Sequence, residues 1–314
     1  MIQPLYNEGA YMKVKPRNIL FLLCLVTLSA CSIVSNESKT ALTPFADMHL
    51  HFNWDHEELL SAKEAVKILK DHNVVLAAVS SVPSHYSLKL KQAGGDWIIP
   101  LITPYYHAGN RLNWYFDKKV VTEVRKLLET GSYAGIGEVH LTAGVGPRRD
   151  NPVFVGLLEL AKEFNVPFLI HTDAGNHKFF LSICSDYPKV RFLWAHAGGV
   201  LGPKELEPLM EACPNVWLDI AARDPWHYDL FAYDDYSLIA GWRELIIKYQ
   251  NRIVTGTDPV WNAQDIYRWY EADEGWAHYS DFHHFHRNWM KRFPAEIEKK
   301  LRLTNAQRFF SLPK

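Results

Sequence analysis

Eight short apolar runs divide this chain, and most are followed by a stretch with the period of a helix. The runs span 45–51, 74–82, 97–103, 134–141, 167–172, 191–196, 216–221 and 252–257. The clearest helical stretches are 61–72, 118–129, 154–164, 204–213 and 238–250. In the first of these, Ala65, Val66, Ile68 and Leu69 recur at helical spacing, with lysines on the opposite face. Glycine and proline mark the junctions, as at Asn165-Val166-Pro167 and Cys213-Pro214-Asn215. Helical crossovers return a chain to the same edge of a sheet, so neighbouring strands run parallel. Strands without polar alternation are those covered on both faces. Eight such units over roughly 250 residues predict a (β/α)8 TIM barrel of the α/β class. An open doubly wound sheet is the structural alternative, but no glycine-rich phosphate loop follows the first run. The tail from 261 onward is rich in aromatic residues and histidine and predicts a C-terminal helical extension packed on the barrel.

The second constraint is what ends these runs. Asp47-Met48-His49-Leu50-His51 closes the first, Glu138 lies in the fourth, His171 ends the fifth, His196 the sixth, and Asp258 follows the eighth. Side chains two apart on a strand share a face, so His49 and His51 reach one side together. In a barrel the carboxyl ends of the strands converge on one mouth. Six ligand-type residues from five strands therefore meet there and predict a metal centre. Imidazole and carboxylate without thiolate form a ligand set that leaves room for water and takes one or two divalent ions, zinc first, with manganese or iron as alternatives. Asp47 is read as a supporting or capping residue, and Glu138 as a bridge between ions or an orienter of a histidine.

The loops after the strands carry the candidate substrate contacts. These are His107 and Arg111 with Tyr105, then His140 and Arg148 with Arg149, then His177 beside Asn176 and Lys178, then Arg223, and finally Trp261. Their cationic character predicts a small substrate bearing a carboxylate or phosphate. The run His283-His284-Phe285-His286 is read as a helix surface. A formal net charge of -1 supplies no field to recruit nucleic acid, and none is expected as a partner. Nothing in the sequence assigns an oligomeric state.

Asp47-X-His49-X-His51, His171, His196-Ala197-Gly198-Gly199, Thr257-Asp258 and the closing Asn305-Ala306-Gln307-Arg308-Phe309-Phe310 resemble the amidohydrolase superfamily, in its amidohydrolase-related branch. The resemblance implies that His49, His51, His171 and Asp258 are metal ligands. It makes His196 a ligand of a second ion or a hydrogen-bond donor to the transition state. Gly135-Ile136-Gly137-Glu138 looks instead like the bridging glutamate of TatD-type metal-dependent hydrolases, and no lysine occupies that stretch. The reading that follows is hydrolysis of a small ester, lactone, amide or phosphoester by a metal-bound hydroxide. Asp258 carries the proton, and His196 assists. The alternatives are a mononuclear decarboxylase of the same superfamily and a non-catalytic metal-binding lipoprotein.

The N-terminus reads as a targeting segment. Lys13, Lys15 and Arg17 precede an apolar stretch, 19–30, too short to span a bilayer at the ~20 residues a crossing needs. Leu28-Ser29-Ala30-Cys31 resembles the lipobox of bacterial lipoproteins, which implies cleavage before Cys31 and its lipidation; an ordinary signal peptide is the competing reading. Ser32 in place of aspartate directs the anchor to the outer membrane, facing the periplasm of a bacterial envelope. Met12 directly precedes the basic zone and is read as the true start. The division is then a signal peptide with lipobox over 1–31, a tether over 32–43 and the barrel over 44–314. Cys184 and Cys213 remain in the barrel. An oxidising compartment permits their pairing, but their spacing favours two buried thiols.

Overall fold

A computed structural model of the protein describes residues 42–141, 146–172, 177–261 and 273–311. The signal segment, Cys31, most of the tether, Asn176 and most of the loop after Trp261 lie outside the described residues. The strands are β1 (Phe45–His51), β2 (Val74–Ser81), β3 (Ile98–Ile102), β4 (Gly135–Leu141), β5 (Phe168–Thr172), β6 (Phe192–Trp194), β7 (Val216–Asp219) and β8 (Ile253–Val254). The helices between them are α1 (Ala62–Asp71), α2 (His85–Gly94), α3 (Lys119–Glu129), α4 (Pro152–Glu163), α5 (His177–Asp186), α6 (Pro203–Ala212) and α7 (Trp242–Lys248). The extension adds α8 (Tyr279–Met290), α9 (Ala295–Lys299) and α10 (Asn305–Ser311).

Each strand pairs in parallel with the next in sequence, in the order β1 to β8. The seam between the ends is joined by backbone hydrogen bonds from Met48 N to Thr255 O (3.1 Å) and from Asp258 N to His49 O (2.8 Å). Gly256 permits that approach, because a Cβ there would stand 2.6 Å from the N and Cβ of His49. Asp47 clamps the same seam. It accepts from Thr257 N (2.9 Å), Thr257 Oγ1 (2.7 Å) and Tyr279 Oη of α8 (2.8 Å). The result is the expected (β/α)8 barrel with C-terminal helices.

Two layers of core follow from strand alternation. Phe45, Leu50, Ile136, Val139, Phe168, Ile170 and Phe192 pack outward against the helices. Ala46, Met48, Leu101, Leu169, Leu193, Trp217 and Val254 form a separate buried cluster with Ala306 and Phe309, so α10 packs on the barrel's own lining. In β1 the outward residues Phe45 and Leu50 are an odd number apart, and in β4 Ile136 and Val139 are three apart. Both strands shift register at these points, between Asp47 and Leu50 and between Ile136 and Val139. Such bulges re-aim side chains. Here they explain why Asp47 turns to the seam while His49 and His51 face the mouth.

Local signals explain most helix limits. Ser61 and Glu64 close a reciprocal cap on α1, and the Asn151 side chain accepts from the Val153 and Phe154 amides at the start of α4. The expected helix 238–250 begins only at Trp242, because Gly241 takes a left-handed φ of 90° and Leu238 pairs with Ala232 in an isolated bridge. Helix α2 carries a weak apolar stripe, with Ser87 and Leu90 as its buried residues, which is why the periodicity did not reveal it.

Two expectations are corrected here. Cys184 at the end of α5 and Cys213 after α6 form a disulfide, with Cα atoms 6.0 Å apart. Their separation of 29 residues hid a pairing that depends on two consecutive barrel helices lying side by side. In α8, His284 is exposed as expected, but His283 and His286 are buried. Burial and the adjacent Arg287 hold His283 down to about 2, and burial holds His286 down to about 4. Both rings therefore serve as neutral packing groups.

Candidate metal centre

The mouth of the barrel gathers the predicted set. His49, His51, Glu138, His171, His196 and Asp258 are all buried, and all except His49 line one cavity of about 320 Å³. His49 Nε2 lies 3.2 Å from His51 Nε2 and 3.6 Å from Glu138 Oε2. His51 Nε2 is 3.3 Å from both Glu138 Oε2 and Asp258 Oδ1. His196 Nε2 is 3.6 Å from Glu138 Oε1 and from Asp258 Oδ2, and His171 Nδ1 is 2.8 Å from Glu138 Oε1. Three overlapping trios place their donor atoms within 4.8 Å of one another: His49–His51–Asp258, His49–Glu138–His196 and Glu138–His140–His171.

Backbone geometry builds this convergence. Gly137 adopts φ 138°, and a Cβ there would meet Leu169 Cβ and O at 2.5 Å, so only glycine lets β4 bring Glu138 in at that level. His196 and Ala197 are left-handed, at φ 56° and 47°, followed by Gly198 and Gly199 at 75° and 66°. This turn is braced from behind by Arg223. Its guanidinium donates to His196 O (2.7 Å), Ala197 O (3.0 Å) and Leu201 O (2.7 Å) and stacks over Trp242. Burial lowers it to about 9. Strained backbone of this kind persists only when its surroundings over-determine it.

Whether the residues fit an ion is decided by their far sides. His49 Nδ1 meets Asp219 Oδ2 at 2.7 Å, His51 Nδ1 meets Ser80 O at 3.1 Å, and His196 Nδ1 meets Ala221 O at 3.1 Å. Each partner is an acceptor only, so each Nδ1 carries a proton and Nε2 is the atom left facing the centre, able to ligate once any second proton is displaced by an ion. Outer acceptors of this kind characterise histidines that bind metal. Asp258 Oδ1 is buried with no hydrogen-bond partner, an orphan that a cation would satisfy.

The electrostatics agree. Burial pushes Glu138 up, but His140, His49 and His171 outweigh it and hold the carboxyl well below its usual range. Asp258 is lowered in the same way, with His49, His51 and His196 overcoming its burial. Burial pulls His49 down, yet Asp258, Glu138 and Asp219 carry it well above the ordinary histidine value. Buried anions that retain a proton on an imidazole are asking for positive charge, and a divalent ion supplies it. The donor set fits a metal.

The second ring of residues is mixed. Arg111 and His140 line the cavity as expected. Burial lowers His140 well below its ordinary value, and burial raises the Tyr105 phenol, so it stays protonated. Four other candidates are seated elsewhere. Arg148 is exposed and pairs with Asp150 (3.0 Å) along a different groove. His107 is exposed at the start of a 3-10 turn, and His177 opens α5 without lining the cavity. Trp261 stacks on His278, with ring centroids 3.7 Å apart. Arg223 is also seated elsewhere: it is buried beneath the turn, where Nε and Nη2 donate to carbonyls, and it does not line the cavity.

Three contributors escaped the sequence reading. Asp219 ends β7 inside what reads as an uninterrupted apolar run. Tyr228 Oη lies 3.3 Å from His171 Nε2. His227 contacts Asp224 through Nδ1 (2.9 Å) and Val260 O through Nε2 (2.8 Å). Burial lowers its pKa, but Asp224 raises it to about 9, so the ring donates from both nitrogens and ties the β7 loop to the segment after Asp258. Tyr228 and His227 lie in a long loop with no periodic signal.

Solved structures share this architecture. A TatD homologue from Escherichia coli K12 matches with a TM-score of 0.58 at 16% identity, over 86% of this chain and 98% of its own. A putative 2-pyrone-4,6-dicarboxylic acid hydrolase from Pseudomonas putida matches at 0.57 and 13% identity, over 86% and 99%. A dihydroorotase from Campylobacter jejuni matches at 0.51 and 16% identity, over 87% and 85%. Identities this low speak for the fold alone. No curated protein matches the sequence. The amidohydrolase family model, however, matches residues 46–312, from β1 to beyond the end of α10. That span contains every residue of the histidine–carboxylate cluster, and the chain belongs to the amidohydrolase family of metal-dependent enzymes.

Proposed function

We propose that the protein is a two-metal hydrolase of small esters, lactones or amides that carry a carboxylate. Phosphoesters are the next class. The observation that carries this reading is the placement of Glu138. Its Oε2 faces His49 and His51, at 3.6 and 3.3 Å, while its Oε1 faces His171 and His196, at 2.8 and 3.6 Å. One carboxylate between two histidine pairs supports a bridging role, were two ions bound. His49, His51 and Asp258 would hold one ion, and His171 and His196 the other.

A divalent ion supplies Lewis acidity, acidifying water and polarising the oxygen of the bond to be split. The chain does the rest. Asp258, with Oδ1 unpartnered, accepts the proton that the attacking water releases and passes it to the leaving group. His49, His51 and His196 are locked by Asp219, Ser80 and Ala221, so they need not reorganise during the reaction. Arg111 lines the wall with no ion pair to a described residue and takes the substrate carboxylate. Zinc titration of metal-free protein, followed calorimetrically, is expected to show two equivalents. A panel of esters, lactones, dipeptides and phosphoesters is then expected to show turnover that stops on chelation. One equivalent with carbon dioxide released from an aromatic acid would overturn the reading in favour of the decarboxylase.

We also propose that the protein is exported and anchored through Cys31 on the periplasmic face of the outer membrane. The Cys184–Cys213 disulfide supports an oxidising compartment. Mass spectrometry of protein from the native envelope is expected to find a lipidated Cys31 as the first residue. A free, unmodified N-terminus elsewhere would exclude the anchor.

A further inference from the structure

We infer that His140 is a locked hydrogen-bond donor to the reacting group, presenting Nε2–H into the cavity, and that Tyr105 sets its tautomer. The role toward substrate rests on the hydrolase reading above; the tautomer does not.

Tyr105 follows β3 and is 2% exposed. Its phenol oxygen accepts from the backbone N–H of His140 at 2.6 Å and lies 3.0 Å from His140 Nδ1. A phenol has one proton, and buried hydroxyl protons find acceptors. Among the described residues, His140 Nδ1 is the acceptor within reach. Were Nδ1 to carry a proton instead, the phenol oxygen would receive two and its own hydrogen would be stranded in the core. Nδ1 therefore accepts, and the neutral ring carries its proton at Nε2.

This is the reverse of His49, His51 and His196. Their Nδ1 atoms face a carboxylate or a carbonyl, which can only receive, so their Nε2 atoms are the ones left to bind an ion. By spacing alone His140 belongs with Glu138 and His171 in a metal-binding trio. Its tautomer removes it from that role, because an N–H cannot ligate. The ring stacks on His171, with centroids 4.6 Å apart and planes 25° apart, which fixes its direction. Its Nε2 stands 3.5 Å from Glu138 Oε2, too far for a strong bond, so the hydrogen is available to an oxygen that comes closer. A neutral, pre-aimed donor at the edge of the metal centre serves an oxygen that gains negative charge in the transition state.

The test uses zinc-loaded protein with 15N-labelled histidine and long-range 1H–15N correlation spectra, the His140 signals being those absent from His140→Ala. The expected pattern is a bare Nδ1 and a protonated Nε2 for His140, with the opposite assignment for His49, His51 and His196. Tyr105→Phe removes the donor and is expected to blur the preference of His140 alone. His140→Ala is expected to retain the zinc equivalents of the wild type while kcat falls about 100-fold with little change in KM. His140→Gln keeps an N–H near the Nε2 position and is expected to recover part of that loss. A protonated Nδ1 on His140, a lost zinc equivalent in His140→Ala, or wild-type kcat in that variant would each overturn the inference. If spectra and zinc content agree but no compound of the panel is turned over, the hydrolase reading fails and the tautomer lock stands.

Discussion

Asp258→Asn is expected to lower turnover by about 10²–10⁴-fold while leaving the barrel folded. The change is nearly isosteric, and the backbone of residue 258 keeps its seam contact to His49 O at 2.8 Å. What changes is chemistry at Oδ1. That oxygen is buried without a hydrogen-bond partner and lies 3.3 Å from His51 Nε2, and the second oxygen lies 3.6 Å from His196 Nε2. An amide cannot take up a proton from water at neutral pH, so the shuttle from nucleophile to leaving group is cut. Parallel measurement of bound zinc separates this loss from a simple failure to hold metal. Near-wild-type turnover in Asp258→Asn with full metal content would refute the proton-carrying role. A fall in activity that tracks a fall in zinc would restrict Asp258 to ligation.

The assembly of this centre was legible because strand ends are legible. His171 and His196 each follow an apolar run, and a barrel brings such positions to one mouth whatever lies between them. The layout of β1 was legible only in part. Strict alternation places Asp47 on the same face as His49 and His51, and the register shift within the strand separates them. A bulge leaves no mark in the pattern of apolar residues. The place of Arg223 was not legible for a different reason. Its charge suggests a substrate anion, whereas its burial beneath the left-handed turn at His196 depends on four consecutive positive φ angles that Gly198-Gly199 only hints at. Asp219 was passed over because it lies inside the apolar run 216–221, away from the strand end where ligands were sought. Its role in holding His49 Nδ1 appears only once β7 and β1 face each other across the barrel. The pairing of Cys184 with Cys213 is likewise a property of neighbouring helices and not of spacing.

Glu138→Gln is expected to reduce zinc binding from two equivalents to one and to lower turnover by about 100-fold or more. Even residues that merely orient a ligand change metal affinity by about 10–100-fold when altered, and a bridging carboxylate belongs above that range. Glutamine keeps one oxygen for one histidine pair and must point an amide N–H toward the other. His49 and His51 on one side and His171 and His196 on the other lie within 3.6 Å of the two carboxylate oxygens, so neither orientation of the amide serves both. The substitution also removes the negative charge shared between the two halves of the site. The rival role for Glu138 is orientation of His171 through their 2.8 Å hydrogen bond. The two roles predict different outcomes. An orienting glutamate replaced by glutamine still accepts from Nδ1 through its amide oxygen, so two zinc equivalents survive, with affinity weakened no further than that range. A bridge does not tolerate the change. Glu138→Gln therefore tests the proposed two-ion centre at the residue that carries it.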